Sequence, residues 1–144
     1  MTLKITGLDN LKKTIESRRR TFKQAYLDGT YAAGQDIMLD ARARAPVKDD
    51  WLRPSGYVAK TANGVEMGFG GAAEAYVVRQ HEDLSLNHPN GGEAKFFERA
   101  IDANRDQTKE IIATYVRAAM GGAPLSSPQK KVPETPIEER GASK

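Results

Sequence analysis

Cysteine is absent from the chain. That excludes disulfides and thiolate metal sites, and it fits a protein made in a reducing cytosol. Long apolar runs are absent too. No stretch approaches the roughly 18 apolar residues of a membrane span, so no segment is expected to cross a bilayer. The start, "MTLKITGLDNL", lacks the apolar core of a signal peptide. Histidine is scarce, with only His81 and His88, and tryptophan occurs once, at Trp51. Charge of one sign is scarce as well. The formal net charge is +3 in a chain that is 28 % charged. Such a mixed surface permits contact with nucleic acid without arguing for it. At 144 residues the chain fits one domain, large enough to bury about two thirds of its unfolded surface without staples.

What is present reads as α+β. "TLKIT" alternates and is β-branched, which predicts a strand at residues 2–6. Asp9 is a fair N-cap for the helix that follows. Leu8, Leu11, Ile15, Phe22 and Tyr26 recur at helical spacing, as do Ala33, Ile37, Ala41 and Ala45, with Met38 beside them. The pattern predicts helix from about residue 9 to 45, bent or divided near Gly29 and stopped by Pro46. A loop follows. Tyr57–Thr61 and Val65–Phe69 are expected to form a hairpin turned by Asn63-Gly64, since both residues accept positive φ. "EAYVVRQHED" fits helix or strand, and a short helix is preferred. "SLNHPNGG" is a loop. From Glu93 the periodicity of Phe97, Ile101, Thr108, Ile111, Ile112, Tyr115 and Ala119 predicts one long helix ending at Gly121-Gly122. The domain thus covers residues 1–120. Residues 121–144 hold four of the seven prolines and few large apolar residues. That composition predicts an extended tail without a core of its own.

Little of the sequence looks reactive. A zinc site needs three or four convergent ligands. His81, Glu82, Asp83 and His88 offer the right groups at the wrong spacing for the helical two-histidine motif. Neighbours on a helix point about 100° apart, so His81 and Glu82 are not expected to share a face. The better expectation is that His81 anchors the end of a short element. No serine stands in a nucleophile-elbow setting. The paired carboxylates Asp49-Asp50 and Glu138-Glu139 lie in polar segments that should not raise a pKa for acid–base work. "GFGGAAEAY" lacks the lysine of a phosphate loop. No cofactor and no metal are expected. The densest positive patch is Arg18, Arg19 and Arg20 with Lys23, Lys12 and Lys13. It reads as a solvated helix face or as a surface for DNA phosphates or an acidic partner. No aromatic interleaving supports base stacking.

Taken in order, the segments resemble a known family. Ala33, Ile37, Ala41, Arg42, Ala45, Pro46 and Val47, then Leu52, Arg53 and Ser55, are similar to a signature of small minor capsid or tail-completion proteins of tailed bacteriophages. "AYVVRQHED" resembles that family's tyrosine-to-histidine/glutamate element, and "GEAKFFERAIDANRDQ" the start of its last helix. "ITGLDNL" fits as well. The similarity covers roughly residues 1 to 120 and leaves the tail without a counterpart. One departure stands out: the family's Thr-Gly after the proline loop is replaced by Asp49-Asp50-Trp51, so that turn is built differently here.

The resemblance implies a fold with a long N-terminal helix, a small antiparallel sheet and a long C-terminal helix. It implies a structural virion protein and not an enzyme. Such a subunit sits in the neck or upper tail, assembled in the bacterial host cytoplasm. It forms a homo-oligomeric ring, six- or twelve-fold, around the DNA channel and joins head to tail. Its expected partners are neighbouring adaptor, tail-terminator or tail-tube proteins and packaged DNA, with no membrane. On this reading Trp51, Leu52, Arg53, Leu84, Leu86 and His88, with Pro124, Pro128 and Pro133 of the tail, are interface candidates. Trp51 serves either as an interface anchor or as a cap on the core. Arg18, Arg19, Arg20 and Lys23 are candidates for DNA or an acidic partner. The competing readings are a tail-terminator or head–tail adaptor ring, a small basic DNA-binding protein, and a metal-dependent hydrolase centred on His81 and His88.

Overall fold

The computed structural model describes residues 7–47, 51–71 and 74–121. The strand expected at 2–6, the Asp49-Asp50 pair and the tail from residue 122 lie outside the described residues. Helix α1 runs from Leu8 to Arg44, a 3-10 turn covers Arg53–Ser55, and strands β1 (Gly56–Lys60) and β2 (Val65–Phe69) follow. Three more helices follow among the described residues: α2 (Glu74–Glu82), α3 (Phe96–Ala103) and α4 (Arg105–Ala119). The fold is α+β, as expected, with α1 as the axis on which the hairpin, α3 and α4 pack.

The second half of α1 is built to be approached closely. Its small residues Ala33, Gly34, Ala41 and Ala45 are buried together with Ile37 and Met38. Gly29 is neither a break nor a boundary, because α1 continues through it. A β-carbon there would lie 3.0 Å from Ile112 Cα and 3.1 Å from Tyr115 Cβ, so the missing side chain is what lets α4 settle against α1. The two helices run antiparallel. Asn104 Nδ2 donates to Asp40 Oδ2 at 2.9 Å, Gln107 Nε2 donates to Asp36 Oδ2 at 3.0 Å, and Ile112 and Tyr115 reach Gly29. Asp9 lies in the first turn and not at the N-cap, which is Gly7 at φ 97°. There it complements the helix dipole.

The hairpin lies along another side of α1. Arg42 Nη2 donates to Gly56 O at 2.5 Å, Val58 approaches Gly34, and Lys60 pairs with Asp28 at 2.6 Å. Lys60 also stacks its ammonium 5.0 Å from the Tyr31 ring centroid. The strands pair from Gly56↔Phe69 to Lys60↔Val65. The turn, however, is not made by positive φ at Asn63-Gly64. Thr61 N donates to Gly64 O at 2.9 Å, which places Ala62 and Asn63 at the tip, and neither Asn63 nor Gly64 has positive φ. Register here follows the side chains packed on α1, such as Val58 opposite Met67, more than the turn dipeptide.

The expected single C-terminal helix is two. Asn104 sits at φ −99°, ψ 7°, between α3 and α4. Its side chain donates both to Ala100 O at 2.8 Å and to Asp40, competing locally with the helical ladder. The break shifts the inward face. Phe96 and Ala100 are fully buried, whereas Ile101, read as part of the apolar stripe, is exposed. One cluster joins Ile37, Ala41 and Ala100 with Met67, Phe69 and Phe97. A second joins Ala45, Leu52 and Phe96 with Phe69, Tyr76 and Val77. Phe69 meets Phe96 and Phe97 edge-on, with centroids 5.2 and 5.8 Å apart. Gly121, at φ 91°, ends α4 as expected.

Candidate functional site

Two regions hold the residues singled out in the sequence. The first is the C-terminal end of α1. A helix leaves its last carbonyls without intrahelical donors, and here the flanking loops supply them. Arg53 Nε donates to Ala45 O at 3.0 Å and its Nη2 donates to Ala43 O at 3.1 Å. Glu93 N donates to Arg44 O at 3.0 Å, and Val47 N donates to Gly91 O at 3.2 Å. Gly91 and Gly92 stand at φ 91° and 96°, and a β-carbon on Gly92 would collide with the Pro46 backbone. The "NHPNGG" loop therefore closes over the end of α1 and does not project at its glycines.

Ion pairs reinforce this junction. Arg44 reaches Asp40 at 2.8 Å and Glu93 at 3.1 Å, and Glu93 also accepts from Arg99. Burial alone pushes the Glu93 carboxyl up, but the hydrogen bonds from Arg44 and Arg99 outweigh it and hold the group below its ordinary 4.5. Asp40 and then Glu93 push the Arg44 guanidinium up in turn. Leu52 is buried here and Arg53 is occupied with carbonyls. Leu52, read as an interface candidate, is a core residue, and Arg53 is a helix cap. The apolar side chain of Leu52 fills the gap between Ala45 and Phe96, which leaves nothing of it for a partner.

His81 closes the same region. Its ring meets Phe96 edge-on at 5.1 Å, and its carbonyl accepts from Lys95 N at 2.8 Å. It anchors the end of α2, as expected. The expectation that His81 and Glu82 point apart fails. His81 Nδ1 lies 2.7 Å from Glu82 Oε1, at the last residue of the helix. Lys95 first, and His81 second, hold the Glu82 carboxyl below its ordinary 4.5. An ionised carboxylate only accepts, so Nδ1 carries the proton of this bond. His88 is half-buried, and its carbonyl accepts from Gly91 N at 3.0 Å. Among the described residues no three histidine, aspartate or glutamate side chains converge on a point where a metal ion could sit.

Around this junction three large apolar side chains face solvent. Trp51 is 70 % exposed, Leu84 72 % and Val78 63 %. Trp51 therefore does not cap the core. Leu86 is half-buried. Pro124, Pro128 and Pro133 lie outside the described residues.

The second region is the first half of α1. α4 ends at Ala119, and every residue from Gly7 to Gln24 is exposed. Seventeen helical residues, about 25 Å at 1.5 Å per residue, thus project past the body as an arm. Leu8, Leu11, Ile15, Phe22 and Tyr26 are each between 47 and 58 % exposed. Leu8, Leu11, Ile15, Arg18, Phe22, Ala25 and Gly29 alternate at spacings of three and four, forming one seam. Ala25 and Gly29, at its lower end, are buried, and Gly29 packs on α4. The rest of the seam is bare. Arg18, Arg19, Arg20 and Lys23 are all on this arm and all exposed. The periodicity that predicted the helix carried the apolar face correctly. It did not reveal that half of that face has no neighbour among the described residues.

No helix among the described residues is long and apolar enough to cross a membrane. Comparison with protein-family models, with curated proteins and with solved structures finds no match. The class that can be stated is therefore one of fold: a small α+β domain on a single long helix, with a two-stranded hairpin and a projecting helical arm.

Proposed function

We propose that this chain is a structural virion protein of a tailed bacteriophage, a neck or tail-completion subunit that forms a ring around the DNA channel and joins head to tail. It acts by assembly and not by turnover. One observation carries the reading. The residues that resemble the family signature occupy a single structural junction: Ala33, Ile37, Ala41 and Ala45 line the packed side of α1, Arg53 caps its end, and Ser55 Oγ donates to Leu52 O at 2.7 Å in the adjoining turn. The exposed arm and the exposed Trp51, Val78 and Leu84 supply the surfaces that a ring subunit needs. A tail terminator or head–tail adaptor would use the same surfaces in a neighbouring ring.

Purified particles test the proposal. Mass spectrometry of virions should find this chain at a few copies to a dozen per particle, and labelled protein should map to the neck in electron micrographs. A chain missing from intact particles sinks the reading. The basic arm favours one alternative, a nucleic-acid-binding protein. That alternative predicts duplex-DNA binding that weakens steeply with salt and is lost when Arg18, Arg19 and Arg20 are neutralised.

A further inference from the structure

We propose that residues 2–6 of one copy of this chain add as a third strand to the free edge of β2 in another copy, with the arm of α1 as the spacer between the two bodies. The inference goes beyond the neck reading and stands without it. The ladder defines the edge. Thr61 N donates to Gly64 O at 2.9 Å, and Gly70 N donates to Ser55 O at 3.2 Å. Bonded and non-bonded pairs alternate in an antiparallel ladder, so Tyr57↔Gly68 and Ala59↔Glu66 are the bonded pairs between those two. The backbone N–H and C=O groups of Val65 and Met67 therefore point away from β1. Among the described residues no backbone donor or acceptor meets them. The corresponding edge of β1 is partly in use, since Gly56 O accepts from Arg42. An unpaired strand edge is a template for a further strand.

Pattern and reach select the occupant. "TLKIT" alternates, so as a strand it puts Leu3 and Ile5 on one face and Thr2, Lys4 and Thr6 on the other. β2 is divided in the same way. Val65 and Met67 turn toward α1: Val65 Cγ1 would lie 3.7 Å from a β-carbon on Gly34, and Met67 packs on the cluster of Ile37, Ala41 and Ala100. Glu66, on the other face, is exposed. Paired antiparallel with Lys4 across from Glu66, the segment adds Leu3 and Ile5 to the apolar layer and sets opposite charges side by side on the outer face. It cannot do this within its own chain. α1 is continuous from Leu8 to Arg44, so Gly7 and Gly34 stand about 40 Å apart along it. Fully extended, the chain from Gly7 back to Thr2 spans at most about 18 Å. The β2 edge it can reach is that of another copy.

Residues 122–144 suit the edge less well. Pro124, Pro128, Pro133 and Pro136 each lack a donor for the ladder, and they interrupt the segment before any alternating run develops. Strand donation from copy to copy closes either as a reciprocal pair or as a ring, and only the ring is required by the neck reading.

Full-length protein tests this directly, because a cysteine-free chain reports cleanly on introduced cysteines. Wild-type protein should self-associate in sedimentation. Leu3→Pro/Ile5→Pro should be monomeric with unchanged helix content, since both positions precede α1 and lose the donors that would meet β2. Lys4 and Glu66 would form a non-bonded pair, whose close Cα spacing suits a disulfide. Oxidation of mixed Lys4→Cys and Glu66→Cys chains should therefore yield at least tenfold more 4–66 than 4–4 product. Predominant 4–4 product overturns the proposal in favour of two N-terminal segments pairing with each other. A doubly substituted K4C/E66C chain that closes on itself at high dilution overturns it too, as does a monomeric wild-type chain or unimpaired association of L3P/I5P. The neck reading fails separately: association that stops at two copies, linked 4–66, supports strand exchange and sinks the ring alone.

Discussion

The two halves of α1 carry the same period and meet opposite fates. From Leu8 to Gln24 the stripe is made of large side chains, Leu8, Leu11, Ile15 and Phe22, and all are exposed. From Ala25 to Arg44 it is made mostly of alanine and glycine, with Ile37 and Met38, and those residues are buried. Reach explains the difference. Beside the packed half, small residues bring partner backbones to van der Waals distance, as Gly29 does for Ile112. Beside the first half no described element lies, because α4 ends at Ala119. The packed half also makes the arm possible. Seventeen residues of isolated helix are marginal in water, but a helix propagating from a packed segment avoids the cost of nucleation.

The comparison can be broken most decisively with one residue type placed in both settings. Phe96→Ala removes a fully buried ring from the cluster at the end of α1 and should cost about 4 kcal/mol in chemical denaturation. Phe22→Ala, on the arm, should change the stability of the dilute monomer by no more than about 0.5 kcal/mol. Equal effects would mean that the arm is packed within the chain.

Gly29→Val comes next. Its β-carbon meets Ile112 and Tyr115 at 3.0 and 3.1 Å, so the packed half should lose about 2 kcal/mol by overpacking. Ser17→Val on the arm should be nearly neutral. Differential scanning fluorimetry is enough to separate them.

Arg53→Ala should cost about 1.5 kcal/mol, because it leaves the Ala43 and Ala45 carbonyls without their donor. Urea unfolding measures it, and a neutral result would show that water replaces the cap.

The smallest effect is electrostatic. Glu93 titrates below its ordinary 4.5 in the folded chain, despite the burial that opposes this. Its contribution is therefore present above about pH 4.5 and lost as pH falls through the lower folded value. Glu93→Gln should cost about 1 kcal/mol at pH 7 and flatten the loss of stability as pH falls below the ordinary 4.5. An unchanged acid profile would place the carboxylate outside the network.

Much of the packed half was legible. Ala33, Ile37, Ala41 and Ala45 at strict intervals of four implied a close-packed stripe, and each of them is buried. Both strands of the hairpin were legible on either side of Asn63-Gly64, within one residue at β1. The break at Asn104 was not, because it depends on Asp40, 64 residues away in sequence. The cap by Arg53 was missed for a similar reason: an arginine in a loop carries no mark of the carbonyls it will reach. Trp51 and Leu52 are neighbours of similar hydropathy, yet Leu52 enters the core and Trp51 stays out. Only the direction of the chain after Pro46 separates them.

By itself the sequence determined the extent of α1 and its apolar side, the two strands of the hairpin, and that the arm is basic, since period and charge are local properties. Tertiary structure alone decided which apolar residues are covered. Burial depends on how far the partner extends, and α4 stops at Ala119, leaving the seam of α1 open beyond it.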